Sequence, residues 1–165
     1  MMSNKILVPV DGSEHSFRAL DEACELARAM HATIVIFHVV STAKAARLAC
    51  GEPSLVAGSF DVLRQAGNAV TAEAREHACL MLPAGRIEVQ TVLGEPIDEI
   101  VNAANNGSAT WIVMGSHGRT GLARMLIGSV AEGVLRHASV PVMIVPRFVT
   151  QTPTVKVRQA AEAMA

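Results

Sequence analysis

The chain has 165 residues, half of them apolar, with 14 basic and 15 acidic side chains and a formal net charge of −1. One domain is the default at this length, and it buries roughly 70% of the surface its unfolded chain exposes, a full core without metal or disulfide staples. The composition excludes a disordered chain, gives no electrostatic reason to expect a nucleic-acid or anionic-membrane binder, and, with no tyrosine, one tryptophan and four phenylalanines, lacks the stacking platforms of single-strand binders.

In chain order, short β-branched runs alternate with alanine-rich amphipathic stretches. Residues 6–10 are the first strand, apolar on both sides as a strand covered on both faces should be. Pro9 removes a ladder donor and suits only the strand's end. Ser13 caps a helix that runs to Met30, with Phe17, Leu20, Cys24 and Ala27 at helical spacing. Residues 33–40 are the second strand. Residues 41–59, with Gly51, Pro53 and Gly58, are poorly patterned and read as a connection. A second helix spans 60–82, with Leu63, Ala66, Val70 and Ala74 on one face, and the Pro83-Ala84-Gly85 run stops it. Residues 87–92 are the third strand. Pro96 opens a third helix that ends near Asn105-Asn106-Gly107. Residues 110–114 are the fourth strand, a glycine-bearing loop follows, a fourth helix spans 128–137, and residues 140–145 are the fifth strand.

Helical crossovers between successive strands force parallel pairing with right-handed connections. The expected fold is therefore α/β: one doubly wound, Rossmann-like, open parallel sheet of five strands in the order 3-2-1-4-5, with helices on both faces. Residues 1–146 form the expected domain and 147–165 a tail, whose stretch 155–164 is either a short helix or loose. The three cysteines, Cys24, Cys50 and Cys79, are widely spaced with no Cys-x-x-Cys, which points to a reducing compartment and buried structural roles. The first ten residues lack a signal-peptide layout, and the longest near-apolar stretch falls short of the ~20 residues a bilayer span needs. A soluble, cytoplasmic protein is expected.

Ligands of open parallel sheets bind beyond the carboxyl ends of the strands, where the strand order reverses. The loop after the fourth strand is the most informative there. It reads Gly115-Ser116-His117-Gly118-Arg119-Thr120-Gly121, and Gly128-Ser129 then opens a helix. Glycines admit an anion close to backbone N–H groups, a helix start adds unpaired donors, and Arg119 and Arg124 offer positive charge. Ordinary turn chemistry also produces such a loop. No Gly-Lys-Ser/Thr and no Gly-x-Gly-x-x-Gly after the first strand occurs, which excludes the Walker A and dinucleotide fingerprints. Asp11 before Gly12 is a turn residue or a ligand contact. His38, in an apolar strand, reads as a hydrogen-bonded core histidine. His117 is a solvated loop residue, a phosphate contact or a base. Glu95 and Asp98 suit the positive end of their helix.

The spacing Gly115-x2-Gly118-x9-Gly128-Ser129, the opening Lys5-Ile6-Leu7-Val8-Pro9-Val10-Asp11-Gly12-Ser13 and the closing Ser139-Val140-Pro141-Val142 together resemble the universal stress protein family, in its ATP-binding branch. The resemblance covers residues 5–145 apart from the 41–59 connection. It implies that Gly115, Gly118, Gly128, Ser129 and Val130 hold phosphates and ribose, with Ser116, His117 and Arg119 in the same loop. It implies that Asp11 contacts the ribose or adenine side and helps place magnesium, and that Pro9, Val10 and Val39 line the adenine pocket with Met114 beside it. It also implies a homodimer through the last strand, from Val140 to Val145.

Two function classes follow. One is a regulatory module that holds ATP, or another adenine nucleotide, with slow or no hydrolysis. The other is a weak ATP hydrolase or a phosphoryl or adenylyl transferase. Phosphoryl transfer calls for a phosphate-contacting lysine and a metal-holding carboxylate. The loop has neither, and Asp11 is the one obvious carboxylate, which favours binding. A third possibility is an ATP-independent, partner-binding stress protein.

Overall fold

The computed structural model describes residues 4–49, 53–107, 109–118 and 127–146, with 53–57 described by backbone alone. The elements are β1 (Lys5–Pro9), α1 (Glu14–Met30), β2 (Thr33–Ser41), α2 (Thr42–Leu48), α3 (Pro53–Cys79), β3 (Ile87–Gly94), α4 (Pro96–Asn106), β4 (Ala109–Gly115), α5 (Ser129–His137) and β5 (Val142–Val145). A 3-10 turn at Ala84–Arg86 leads into β3. The five strands pair in the order β3-β2-β1-β4-β5, every pair parallel. This is the expected doubly wound sheet.

Side chains alternate across the pleat and split the core into two layers. Ile6, Val8, Ile34, Ile36 and Val113 pack with Leu20, Cys24 and Ala27 of α1 and Val70 and Ala74 of α3. Leu7, Val35, Phe37, Ile112 and Met114 pack on the other face with Ile100 and Ala104 of α4 and Ala131 and Val134 of α5. Strands buried on both faces are what the continuous apolar runs encode.

Pro9 stands at the last position of β1, opposite Phe37, and the ladder resumes one residue on, where the Val10 N–H donates to the Phe37 carbonyl at 2.8 Å. The turn into α1 is built by Asp11, whose Oδ1 accepts from the Ser13 N–H at 3.0 Å and the Ser13 hydroxyl at 2.6 Å. Gly12 between them has φ 79°, a left-handed conformation that glycine adopts without strain. Ser13 then caps α1, its hydroxyl accepting from the Ser16 N–H.

Among its described residues the 41–59 connection is largely helical. It contains α2, whose start Ser41 caps through its hydroxyl to the Lys44 N–H at 3.3 Å, and α3 already runs from Pro53 and ends at Cys79. Glu95 departs from its expected role too. It occupies the N-cap position of α4 without a side-chain cap bond, and its carboxylate instead accepts from Thr42 Oγ1 at 2.5 Å and the Ala43 N–H at 3.2 Å. It thereby closes the first turn of α2 onto the β3–α4 turn. The last strand begins at Val142 rather than Val140, because Pro141 has no N–H for the ladder; its carbonyl still accepts from the Ile112 N–H at 3.0 Å. Cys24 is buried as expected, whereas Cys79 is exposed and Cys50 lies outside the described residues. Burial, with the Asp21 and Glu25 carboxylates nearby, pushes the Cys24 thiol up to about 11. The tail reading for 147–165 also lies outside the described residues. Among the described residues no helix is long and apolar enough to cross a membrane.

Candidate functional site

A cavity of about 580 Å³ opens at the carboxyl ends of β1, β2 and β4, where the sheet order turns from β2 on one side of β1 to β4 on the other. Its size falls within the ~300–1,000 Å³ of small-molecule sites. The sequence-derived candidates gather on its wall. Pro9 ends β1 there, followed by Val10 and Asp11, and β2 contributes Val39. From β4 and the loop beyond it come Met114, Gly115, Ser116, His117 and Gly118, and the start of α5 supplies Gly128, Ser129 and Val130. Arg119 and Arg124 lie outside the described residues.

The two ends of the glycine loop meet at Ser116. This residue is buried, its N–H donates to the Val145 carbonyl at 2.9 Å, and its carbonyl accepts from the Gly128 N–H at 2.7 Å. The Gly128 N–H is thus engaged within the protein. The donors left without an intrahelical acceptor at this rim are those of Ser129, Val130 and Ala131, in the first turn of α5, where the helix dipole adds partial positive charge. Gly118 closes against Asp11: a Cβ at 118 would stand 2.6 Å from Asp11 Oδ2, so any side chain there displaces the carboxylate or enters the cavity. His117 Nδ1 lies 3.1 Å from Ser116 Oγ, and the His117 ring tilts at 49° to His15, with centroids 5.9 Å apart.

Several wall residues escaped the sequence reading. His38 is hydrogen-bonded as expected, through Nδ1 to the Val10 carbonyl at 2.7 Å, but it is half-buried and faces the cavity rather than the core. From α3 come Leu63, Gly67 and Val70, and from α4 Pro96 and Ile100. Lys44 also lines the site, from α2 rather than from the glycine loop, and it is the one lysine or arginine among the described lining residues. The missed signal for Lys44 was the serine cap at Ser41 ahead of an alanine-rich heptad. For the α3 wall it was an apolar spacing already legible but assigned to core. Among the described residues no group of three or more His, Cys, Asp or Glu stands ready to hold a metal ion.

The universal stress protein family model matches residues 2–146. The chain belongs to the universal stress protein family. Universal stress protein MJ0531 of Methanocaldococcus jannaschii is 32% identical to it, over 87% of this chain and 82% of that protein. Universal stress protein YxiE of Bacillus subtilis is likewise 32% identical, over 87% of this chain and 99% of its own length. Among solved structures, a universal stress protein in complex with cAMP superposes with a TM-score of 0.63 at 28% identity, covering 88% of this chain and 98% of that one.

Proposed function

We propose that this universal stress protein is a regulatory module that holds an adenine nucleotide, ATP in the first instance, in the cavity at the ends of β1, β2 and β4. The observation that carries the reading is the joining of one 580 Å³ cavity to the first turn of α5, with Gly118 leaving the approach open. The Ser129 and Val130 N–H groups and the Ser129 hydroxyl meet the phosphates, with Gly115, Ser116, His117, Gly118 and Gly128 shaping the loop and Arg119 adding charge. Pro9, Val10, Val39 and Met114 wall the base. The relative solved with cAMP supports an adenine nucleotide as the ligand class.

Asp11 faces the same space, and its Oδ1 already serves the Ser13 turn. One carboxylate fits a magnesium ion carried by the nucleotide's own phosphates, in the manner usual for that ion, rather than a cage built by the protein. Bound magnesium would supply charge neutralisation of the phosphate chain. Residues 1–146 form the nucleotide-binding domain of this reading, and the module pairs through the free edge of β5.

Phosphoryl transfer at an ordinary enzyme rate asks for more than the wall offers. No carboxylate other than Asp11 lines the cavity among the described residues, and Lys44 comes from α2 rather than from the glycine loop. Hydrolysis is therefore slow or absent, and bound nucleotide is a signal rather than a substrate. Incubation with ATP and magnesium, followed by chromatography of the nucleotide, tests this. Turnover well below ~1 per second supports the regulatory reading, and turnover above it supports the hydrolase.

A further inference from the structure

Strand β3 is an outer strand, hydrogen-bonded along one side only, to β2, among the described residues. Folded proteins commonly blunt such an edge with a proline, a bulge or a lysine. β3 carries none of these. Its eight residues pair with β2 in unbroken register, and its one charged side chain, Glu88, is held by Lys5 at 2.8 Å.

The exposed side chains of β3 are self-complementary. Val89 is 38% exposed and Leu93 50%. Val89 and Thr91 border a groove against α3, and the pleat puts Leu93 on the same face, with Thr91 midway between the two apolar residues. An antiparallel strand of the same sequence, centred on Thr91, therefore sets Val89 opposite Leu93 and Leu93 opposite Val89. Threonine meets threonine at the centre, a favourable cross-strand pair, and Glu88 falls opposite Gly94, so no like charges meet.

The helix beside this edge repeats the arrangement. α3 packs over β2 and β3, and its Asn68, Ala72 and Arg75 form the other wall of the groove. Asp61, Asn68 and Arg75 follow one another at intervals of seven residues, about two helical turns, and so share one line along the helix. All three are exposed. A second α3 running the opposite way, centred on Asn68, sets Arg75 opposite Asp61 twice. The pair of Asp61 with Arg64 in its own chain, at 3.3 Å, is exposed and holds it weakly. Helices lying over two paired edges stand about 10 Å apart, two strand spacings, which matches the ~8–10 Å of packed helices. Asn68 and Thr91 border the same groove, so one two-fold axis serves both elements.

We propose that the free edge of β3, with the α3 line beside it, is a self-association surface that takes a second copy of this chain, β3 against β3 about Thr91. The proposal is independent of the nucleotide reading. Residues 147–165 of the chain itself suit this edge less, since Arg147, Lys156 and Arg158, against the single carboxylate of Glu162, bring positive charge to Arg75. Two exposed apolar side chains per copy and solvent-exposed ion pairs make the contact a weak one, with Kd on the order of ~0.1 mM.

Sedimentation velocity of the intact chain over a concentration series tests this, in an Ile144→Asp background that takes the β5 edge out of the comparison. That variant is expected to double in mass near ~0.1 mM and to stop at the dimer. Adding Leu93→Lys, which sets a charge against Val89 from an exposed position, should abolish the doubling. Adding Asp61→Arg should weaken it by about 5-fold or more, and Asp61→Arg together with Arg75→Asp should restore it, because opposite charges then meet again across the two-fold axis. No doubling by ~1 mM overturns the proposal and leaves the edge to another segment or another protein. Doubling that survives Leu93→Lys, or a double reversal that restores nothing, overturns the pairing about Thr91. Amide exchange of the wild-type chain decides without any variant. Protection of the β3 amides that do not bond to β2 rises with protein concentration if the edge pairs, and stays constant if it does not.

Discussion

At the scale of single residues, the site is a set of close approaches that particular atoms permit or forbid. Gly118 against Asp11 Oδ2 is the tightest of these in the loop after β4. Gly118→Val should lower ATP affinity by about 10-fold or more, since the branched side chain takes phosphate space. The circular dichroism spectrum should stay native, because residue 118 lies in a loop outside the core. Equal affinity in variant and wild type, measured by calorimetry, would remove residue 118 from the site. Cys24 makes a different prediction, about stability. Its thiol, fully buried in the α1 layer, titrates near 11 in the folded protein against an ordinary 9.0. A raised native value means that the folded state holds its proton longer than the unfolded state does. The associated stability is complete below about pH 9 and is lost as pH rises toward 11, to the extent of about 3 kcal/mol. Cys24→Ala should therefore show a shallower alkaline loss of denaturant midpoint than wild type between those pH values. Parallel curves would contradict it. Most site residues were legible one by one, since they follow strand ends: Asp11 after β1, and Gly115 to Gly118 at and after the end of β4. His38 was legible as a hydrogen-bonded ring, yet its orientation depends on a carbonyl 28 positions away, which no local pattern encodes.

At the scale of elements, the wall formed by α2 and α3 separates what local sequence determines from what packing determines. The helix α1 is read from its cap and its apolar spacing, and it forms where both place it. The α2 segment has neither a wide apolar stripe nor a first-turn carboxylate, and it buries only Ala45. Part of what orders it comes from a distant residue, since Glu95 receives Thr42 Oγ1 and the Ala43 N–H across 52 or more positions. Glu95→Ala should loosen this turn by about 1 kcal/mol, with faster amide exchange confined to the start of α2 and little change in the global midpoint. Uniform protection before and after substitution would show that α2 stands without the contact. Gly67 provides the complementary case. Helix propensity alone favours Gly67→Ala by about 1 kcal/mol. The new methyl meets a ring that cannot swing aside without giving up its bond to Val10, so the variant should be less stable than wild type. A raised melting temperature would contradict that balance.

At the scale of the whole molecule, the alternation of strands and helices already specified a parallel sheet covered on both faces, because crossover geometry leaves few other arrangements. The register across β1–β2 and β2–β3 and the meeting of β1 with β4 at the switch point depend on contacts of long sequence separation, and they are what turn scattered loops into one cavity. The same topology leaves β5 paired on one edge only, with Val142, Met143 and Ile144 half-buried. Pairing of two chains there would cover those side chains and the unpaired backbone. Sedimentation should therefore show a dimer that Ile144→Asp shifts toward monomer, while an unshifted distribution would place the interface elsewhere. The central claim is that the cavity holds an adenine nucleotide, and calorimetric titration of ATP with magnesium into protein freed of any co-purified nucleotide tests it most directly. Saturable one-to-one binding near micromolar affinity, about −8 kcal/mol, is the predicted result. Absence of binding, with no nucleotide released from the purified protein by acid, would contradict the account.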